Sequence, residues 1–384
     1  MSLFTSTAWP DTIQTGHLYV SDYGLGTLDR YQYSLDETTN TILSITPDGI
    51  GDNTTNAYFL GSSSDPVKEG IHGTANDLIL VSGSHGSTST IIDRYTLDGT
   101  LIGTVPVNFS SHNGGNVGIG NVLVTSDGKY MYAPLETAGY VVKIDLATGN
   151  IVDSFQFAGA HDVAIDKNGN VYAANYSNGS PSIILLDSNL NKLQNVVTAA
   201  TSGVASFKPS GISIASDGSL YVEDNQKDGP DSVLHYTLSG TAGSLTATLA
   251  TGSSYIGSAA NKSLEFTFGN NIGPDGNLYI AALGGGGAGD PFGSPTGYVN
   301  GVYEFNTQTL SVNLVIGGFT NQGGPVGASG LSAPKYLQFD TNFVTAPDAG
   351  YVPEPASFLL SGIGMAALAL AGSGVLRRYF CFRR

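Results

Sequence analysis

Cysteine is all but missing from this 384-residue chain: the single one, Cys381, lies close to the C-terminal end. That excludes an internal disulfide framework and any CxxC metal knuckle. Charge is also scarce, at 12% of residues, about half the usual share of roughly 25%. Its balance is acidic, with 15 Lys+Arg against 31 Asp+Glu and a formal net charge of −16. Such a surface cannot neutralise a phosphate backbone, so a general nucleic-acid binder is excluded. No GxSxG, HExxH or P-loop sequence is present, which removes three common catalytic frameworks. Gly284 to Gly289 formally fits GxGxxG, but Asp290-Pro291-Phe292-Gly293 follows it. That sequence cannot open the helix a dinucleotide site needs. Disorder is excluded too, because 41% hydrophobic and 10% aromatic residues are enough to build cores. Low charge with 52 glycines and 20 tyrosines fits a large all-β protein of extracellular type.

A short apolar motif recurs at intervals of about 40 to 60 residues: Leu18-Tyr19-Val20, Leu78-Ile79-Leu80, Met131-Tyr132-Ala133, Val171-Tyr172-Ala173, Leu220-Tyr221-Val222 and Leu278-Tyr279-Ile280. Repeats of this length mark solenoids and propellers. Four copies follow a turn pair, Asp127-Gly128, Asn168-Gly169, Asp217-Gly218 or Asp275-Gly276. These pairs are read as two-residue hairpins, whose turns need positive φ. Asp166 to Asn170 is accordingly read as a turn rather than a calcium loop. Two further alternating runs follow each motif, and five copies have one before it. The first copy lacks the leading run, and Ala333 to Asp340 supplies a run of that kind with no Tyr motif behind it. The expectation is an all-β, six-bladed β-propeller over residues 17–343, with four strands per blade. A C-terminal strand completes blade 1 and so removes the open sheet edges.

Residues 159–177 (GAHDVAIDKNGNVYAANYS) and 208–225 (KPSGISIASDGSLYVEDN) resemble NHL repeats and the six-bladed propellers of the gluconolactonase/regucalcin type. On that plan the hairpin turns lie on one face. The long segments, about 46–70, 108–118, 198–210, 251–265, 283–300 and 317–333, lie on the other, together with the starts of the innermost strands. Long segments on a rigid scaffold are where binding concentrates. The candidate channel-mouth residues are Glu69, Asn121, His161, Asp162, Asn270 (or its neighbour Asn271), Lys335 and Tyr336. The resemblance implies a metal site of Glu69, Asn121 and Asp162, with Ile71 standing where that family has a proline. Oxygen ligands of this kind suit calcium or another divalent cation; no other cofactor is indicated.

The C-terminal end is a separate object. Val352-Pro353-Glu354-Pro355 precedes an uncharged run from Phe358 to Leu376, followed by Arg377-Arg378 and Arg383-Arg384. As a helix the run would span about 28 Å, enough to cross a bilayer, and the arginines favour a cytoplasmic end. These three parts, in this order, resemble the PEP-CTERM sorting signal of bacterial exported proteins. The resemblance implies export, transient anchoring in the inner membrane and processing by an exosortase-type enzyme. The expected division is an arm at 1–16, the propeller, a linker at 344–351 and a sorting tail at 352–384. Residues 1–16 contain no Lys or Arg and no apolar stretch of seven, so the true start of an exported chain is expected upstream.

Two functions are expected. The first is a non-catalytic binding or structural protein of the cell surface or extracellular matrix, engaging exopolysaccharide, another surface glycan or further copies of itself. The alternative is a metal-dependent, lactonase-like hydrolase at the channel mouth, with Asp162 or His161 as base.

Overall fold

The structure is a computed structural model. It describes residues 13–22, 27–48, 58–60, 68–74, 77–82, 91–112, 117–176, 179–204, 206–225, 232–250, 267–282, 299–320, 331 and 334–340. At 58–60, 68–69, 77–82, 91, 267, 299–300 and 317–320 only the backbone is described. The arm before residue 13 and the sorting tail at 352–384, with its expected helix, lie outside the described residues. Among the described residues no helix is long and apolar enough to cross a membrane.

The chain runs β1 (Ile13–Asp22), β2 (Thr27–Asp36), β3 (Thr41–Pro47) and the short β4 (Tyr58–Leu60). Next come β5 (Lys68–Gly73), β6 (Asp77–Ser82), β7 (Ile91–Thr96) and β8 (Leu101–Val105). The third group is β9 (Leu123–Val124), β10 (Tyr130–Leu135), β11 (Tyr140–Asp145) and β12 (Ile151–Gln156). The fourth is β13 (Ala160–Ile165), β14 (Val171–Asn175), β15 (Ser182–Leu186) and β16 (Lys192–Thr198). The fifth is β17 (Pro209–Ile214), β18 (Leu220–Asp224), β19 (Ser232–Ser239) and β20 (Thr246–Leu249). The last strands are β21 (Thr267–Ile272), β22 (Leu278–Ala282), β23 (Val299–Phe305), β24 (Val312–Thr320) and β25 (Pro334–Phe339).

Each group forms an antiparallel sheet in chain order. The exception is the first, ordered β25-β1-β2-β3 with β4 also on β2. The innermost strands pack in the cycle β25, β5, β9, β13, β17, β21 and back to β25. Six sheets around a ring, closed by a C-terminal strand in the N-terminal sheet, make a β-propeller.

The recurring motif is the second strand of each blade. It is covered on both faces by neighbouring blades, so its residues do not alternate in exposure: Met131, Tyr132 and Ala133 are all buried, as are Leu220, Tyr221 and Val222. Outermost strands alternate, as β12 does along Ile151–Gln156. The cores lie between blades. One joins Tyr172 and Leu185 of the fourth sheet to Ile212, Val222 and Leu234 of the fifth. Another joins Leu18 and Tyr31 of the first to Tyr279 and Val302 of the last, with Phe339 of the closing strand.

Closure is tied further by polar contacts. Asp340 accepts from the His17 backbone N–H at 2.7 Å and from the Tyr33 hydroxyl at 3.2 Å. Gly16 is required there, because a Cβ would lie 2.3 Å from the Tyr33 hydroxyl.

The turns correct the two-residue hairpin reading. Gly128, Gly169, Gly218 and Gly276 have positive φ, but the Asp or Asn before each does not. Each glycine N–H closes on the carbonyl three residues back, as Gly128 does on Thr125 and Gly218 on Ala215. These are longer loops built round one turn, ending in a left-handed glycine. The Asp carboxylate caps an N–H two residues on: Asp127 accepts from Lys129 and Asp217 from Ser219.

Candidate functional site

At the end of the channel where the innermost strands begin, every blade carries one extra residue on its innermost strand. In the fourth sheet Ala160 pairs with Asn175 and Asp162 with Ala174, which makes His161 the extra residue of a bulge. The fifth leaves Ser210 between Pro209 and Gly211. The sixth leaves Phe268 between Thr267 and Gly269. In the first, Pro334 faces Asp22 and Tyr336 faces Ser21, which leaves Lys335. The second gains one residue between Lys68 and Ile71. The third gains one between Ile119 and Leu123. A bulge bends the strand and re-aims the side chain of the extra residue, so six repeats of it make a ring of re-aimed residues. Glycine makes the bend possible where packing is tightest. A Cβ on Gly269 would lie 2.4 Å from the Tyr336 ring and 2.8 Å from the Lys335 carbonyl. One on Gly120 would lie 2.3 Å from the His161 carbonyl.

The ring brings together groups far apart in sequence. The His161 imidazole stacks on Phe268, with centroids 5.8 Å apart, and lies against Tyr176 at 5.2 Å. Its Nδ1 donates to the Ser210 carbonyl at 2.6 Å, and its Nε2 is 3.5 Å from Glu136 Oε1. Lys208 Nζ sits 4.2 Å from the Tyr176 ring centroid, and Lys335 Nζ sits 5.5 Å from that of Phe268. The result is an arc of three rings with an ammonium over each outer one. Such rings offer flat apolar faces and attract cations through their quadrupoles.

One step deeper, Asp162 is fully buried, and its two oxygens accept the backbone N–H groups of Val163 and Ile212, both at 2.8 Å. The second bond crosses to the next blade. Burial pushes the Asp162 carboxyl up to about 7, against the pull of those N–H groups and of the Asn121 side chain. Asn121 Oδ1 accepts its neighbour Val122 N–H at 3.1 Å, the arrangement that Asp162 has with Val163. Asn270 Oδ1 accepts from the Ser213 hydroxyl. Gly211 leaves room for Asn270 and for the buried Glu223: a Cβ there would lie 2.6 Å from Glu223 Oε2 and 3.1 Å from Asn270 Nδ2.

The candidates from the sequence fall into layers. His161 and Lys335 are bulge residues joined through Phe268, and Glu69 lies on β5 at the bulge with its side chain outside the described residues. Asn121 and Asp162 meet in the second layer, and Asn270 lies deeper still. Tyr336 is fully buried, packed with Tyr19, Leu28 and Ile71. Sequence reasoning missed Phe268, Tyr176, Lys208, Glu136 and Glu223. The signal for Phe268 was available once blades were aligned from their Tyr motifs, because it then falls on the position of His161 and Ser210.

Of the metal set that the resemblance implies, Asn121 and Asp162 come together, and the Glu69 side chain lies outside the described residues. Both Asp162 oxygens are committed to backbone N–H groups, and among the described residues no three His, Cys, Asp or Glu side chains converge on one point.

No protein-family model matches the chain, and no curated protein sequence matches it. Solved structures do. A chain of a nidogen/laminin complex matches with a TM-score of 0.52 at 11% identity, over 85% of this chain and 98% of that one. A Lactobacillus plantarum protein matches with a TM-score of 0.51 at 11% identity, over 85% and 99%. A candidate 6-phosphogluconolactonase from Bacteroides uniformis matches with a TM-score of 0.50 at 13% identity, over 85% and 99%. At such identities the likeness is one of fold, and together with the ring of six sheets it identifies the body of this chain as a β-propeller.

Proposed function

We propose that the chain is an exported, surface-retained propeller that binds a glycan without catalysing a reaction, and that the bulge ring is its binding face. The arc of His161, Tyr176 and Phe268 flanked by Lys208 and Lys335 carries this reading. Flat aromatic faces pack against the C–H faces of sugar rings, and the two ammonium groups complement carboxylates or other acidic substituents. An exopolysaccharide with acidic groups has both features. Of the two bases the hydrolase alternative offers, Asp162 is fully buried and held by two backbone donors, and His161 is buried with its Nδ1 turned to the Ser210 carbonyl.

The sequence of the C-terminal end supports the cellular setting. A span from Phe358 to Leu376 stopped by four arginines would hold that end in the inner membrane. Pro353-Glu354-Pro355 would then stand outside, kept extended by its prolines for an exosortase-type enzyme.

Two measurements test the proposal. Pull-down with the host's own exopolysaccharide should retain the protein, and retention should fall in Phe268→Ala and Lys335→Ala. Equal retention of wild type and both variants would remove the bulge ring from the function. Mass spectrometry of the surface form should find the chain ending near Val352. An intact peptide spanning Arg377 to Arg384 in the extracellular fraction would overturn the processing step.

A further inference from the structure

The channel has a second end, opposite the bulge ring, where the hairpin turns lie. There it widens into a cavity of about 1050 Å³, at the upper limit of the roughly 300–1,000 Å³ common for small-molecule sites. The polar wall of its channel part comes from His72, Asn121, Ser213, Asn270, Asn271 and Gln338. Several of these occupy one register position. Gln338, His72, Ser213 and Asn271 pair with Tyr19, Ile79, Tyr221 and Tyr279, the centres of the repeated motif.

None of the six wall groups brings a charge at neutral pH. Four are amides and one is a hydroxyl, and burial pulls the His72 imidazole down to about 4, which keeps it neutral. The amides are oriented rather than loose: Asn271 Nδ2 donates to Gln338 Oε1 at 3.0 Å, and the Ser213 hydroxyl donates to Asn270 Oδ1. An oriented amide offers a donor and an acceptor side by side, the pattern presented by neighbouring sugar hydroxyls. Ile272 and Leu123 add apolar wall for the C–H faces of a sugar. At the rim stand Glu37, Asp166 and, as the single cation among the described residues, Lys167. That balance opposes a phosphate or carboxylate, because an anion brought out of water needs matched cationic donors.

We infer that the hairpin end of the channel is a separate binding site for a neutral saccharide. It opens at the opposite end from the bulge ring, and Asn121 and Asn270 lie in the channel between the two.

The experiment is isothermal titration calorimetry of the whole protein. The probes are maltotetraose, cellotetraose and chitotetraose as neutral sugars, with glucose 6-phosphate and trigalacturonate as charged ones. At least one neutral tetrasaccharide should bind, at least tenfold more tightly than either charged sugar. Affinity should fall at least tenfold in Asn271→Leu, which removes an amide, and in Ser216→Trp, which puts an indole at an exposed rim position. It should be unchanged in Val152→Ala, at an exposed position on the outermost strand β12. If Asn271→Leu does not fold, Ser216→Trp decides. The inference is overturned if no neutral sugar binds, if glucose 6-phosphate or trigalacturonate binds as tightly, or if binding survives Ser216→Trp. Loss of binding in Phe268→Ala with Ser216→Trp unaffected would assign the sugar to the bulge ring instead.

Discussion

The two ends of the channel are made by the same six strands and differ by one residue per blade. At the hairpin end the innermost strand stays in register with its partner up to the turn, as Ile214 with Leu220 and Ile165 with Val171. At the other end the register shifts by one residue per blade, with Lys335, His161, Ser210 and Phe268 as the extra residues. Acid chemistry follows burial, and at the hairpin end too burial raises the Asp275 and Glu304 carboxyls. Near the bulges, burial pushes Asp162 up to about 7 and Asp29 up to about 8. At the exposed turns the opposite holds. The Thr38 N–H pulls Asp36 down, and the Thr148 N–H pulls Asp145 down. A propeller thus gains a chemically distinct mouth from a backbone irregularity, with no change of architecture.

The sharpest test of this contrast compares glycines at the two ends. Gly269→Ala forces a Cβ against the Tyr336 ring and the Lys335 carbonyl, and should cost about 3 kcal/mol in denaturant unfolding, as overpacking of a tight site does. Gly276→Ala meets nothing within 4 Å and suffers only from a φ of +79°, so it should cost about 1 kcal/mol. Equal costs would mean that the bulge end is no more tightly built than the turns.

Between these two in size is the effect on binding. Phe268→Ala should weaken glycan retention about tenfold, roughly 1.4 kcal/mol, and the loss in Lys335→Ala should be smaller at high salt than at low, because salt screens its charge.

The pH dependence should be smaller but systematic. A carboxyl raised in the folded state is protonated there while the unfolded chain has already lost its proton. Stability therefore falls as pH rises from about 4 to about 7 for Asp162 and to about 8 for Asp29. His72, held down near 4 by burial, acts in the opposite sense between about 4 and 6.5 and is silent above. Melting temperature should thus drop by several degrees from pH 6.5 to pH 8. Asp29→Asn and Asp162→Asn should each flatten the curve over their own window. A flat wild-type curve would contradict the assignment of buried, neutral carboxyls to the bulge end.

Much of the fold was legible because a blade is written locally. The Tyr motif, the turn glycines and the alternating outer runs each report a strand within a few residues. The unmatched run ending at Asp340 announced closure because a ring needs its fourth strand in blade 1. The turn type was misread because Asp-Gly is compatible with two kinds of hairpin. The carboxylate of Asp127 or Asp217 selects one of them by capping an N–H two residues on.

Of the site, His161 and Lys335 could be nominated from where the innermost strands begin. Their meeting through Phe268, and the presence of Tyr176 and Lys208, could not. A bulge is a mismatch between two strands, and it shows only when both are paired.

By itself, then, the sequence determined the all-β class, six repeats, the closing strand and the acidic, thiol-poor character, because each follows from composition or short-range periodicity. The tertiary structure alone decided which side chains share a mouth, which carboxyls are buried and that the channel's two ends differ. Those properties depend on register across strands and on packing between blades tens to hundreds of residues apart, and no local pattern records them.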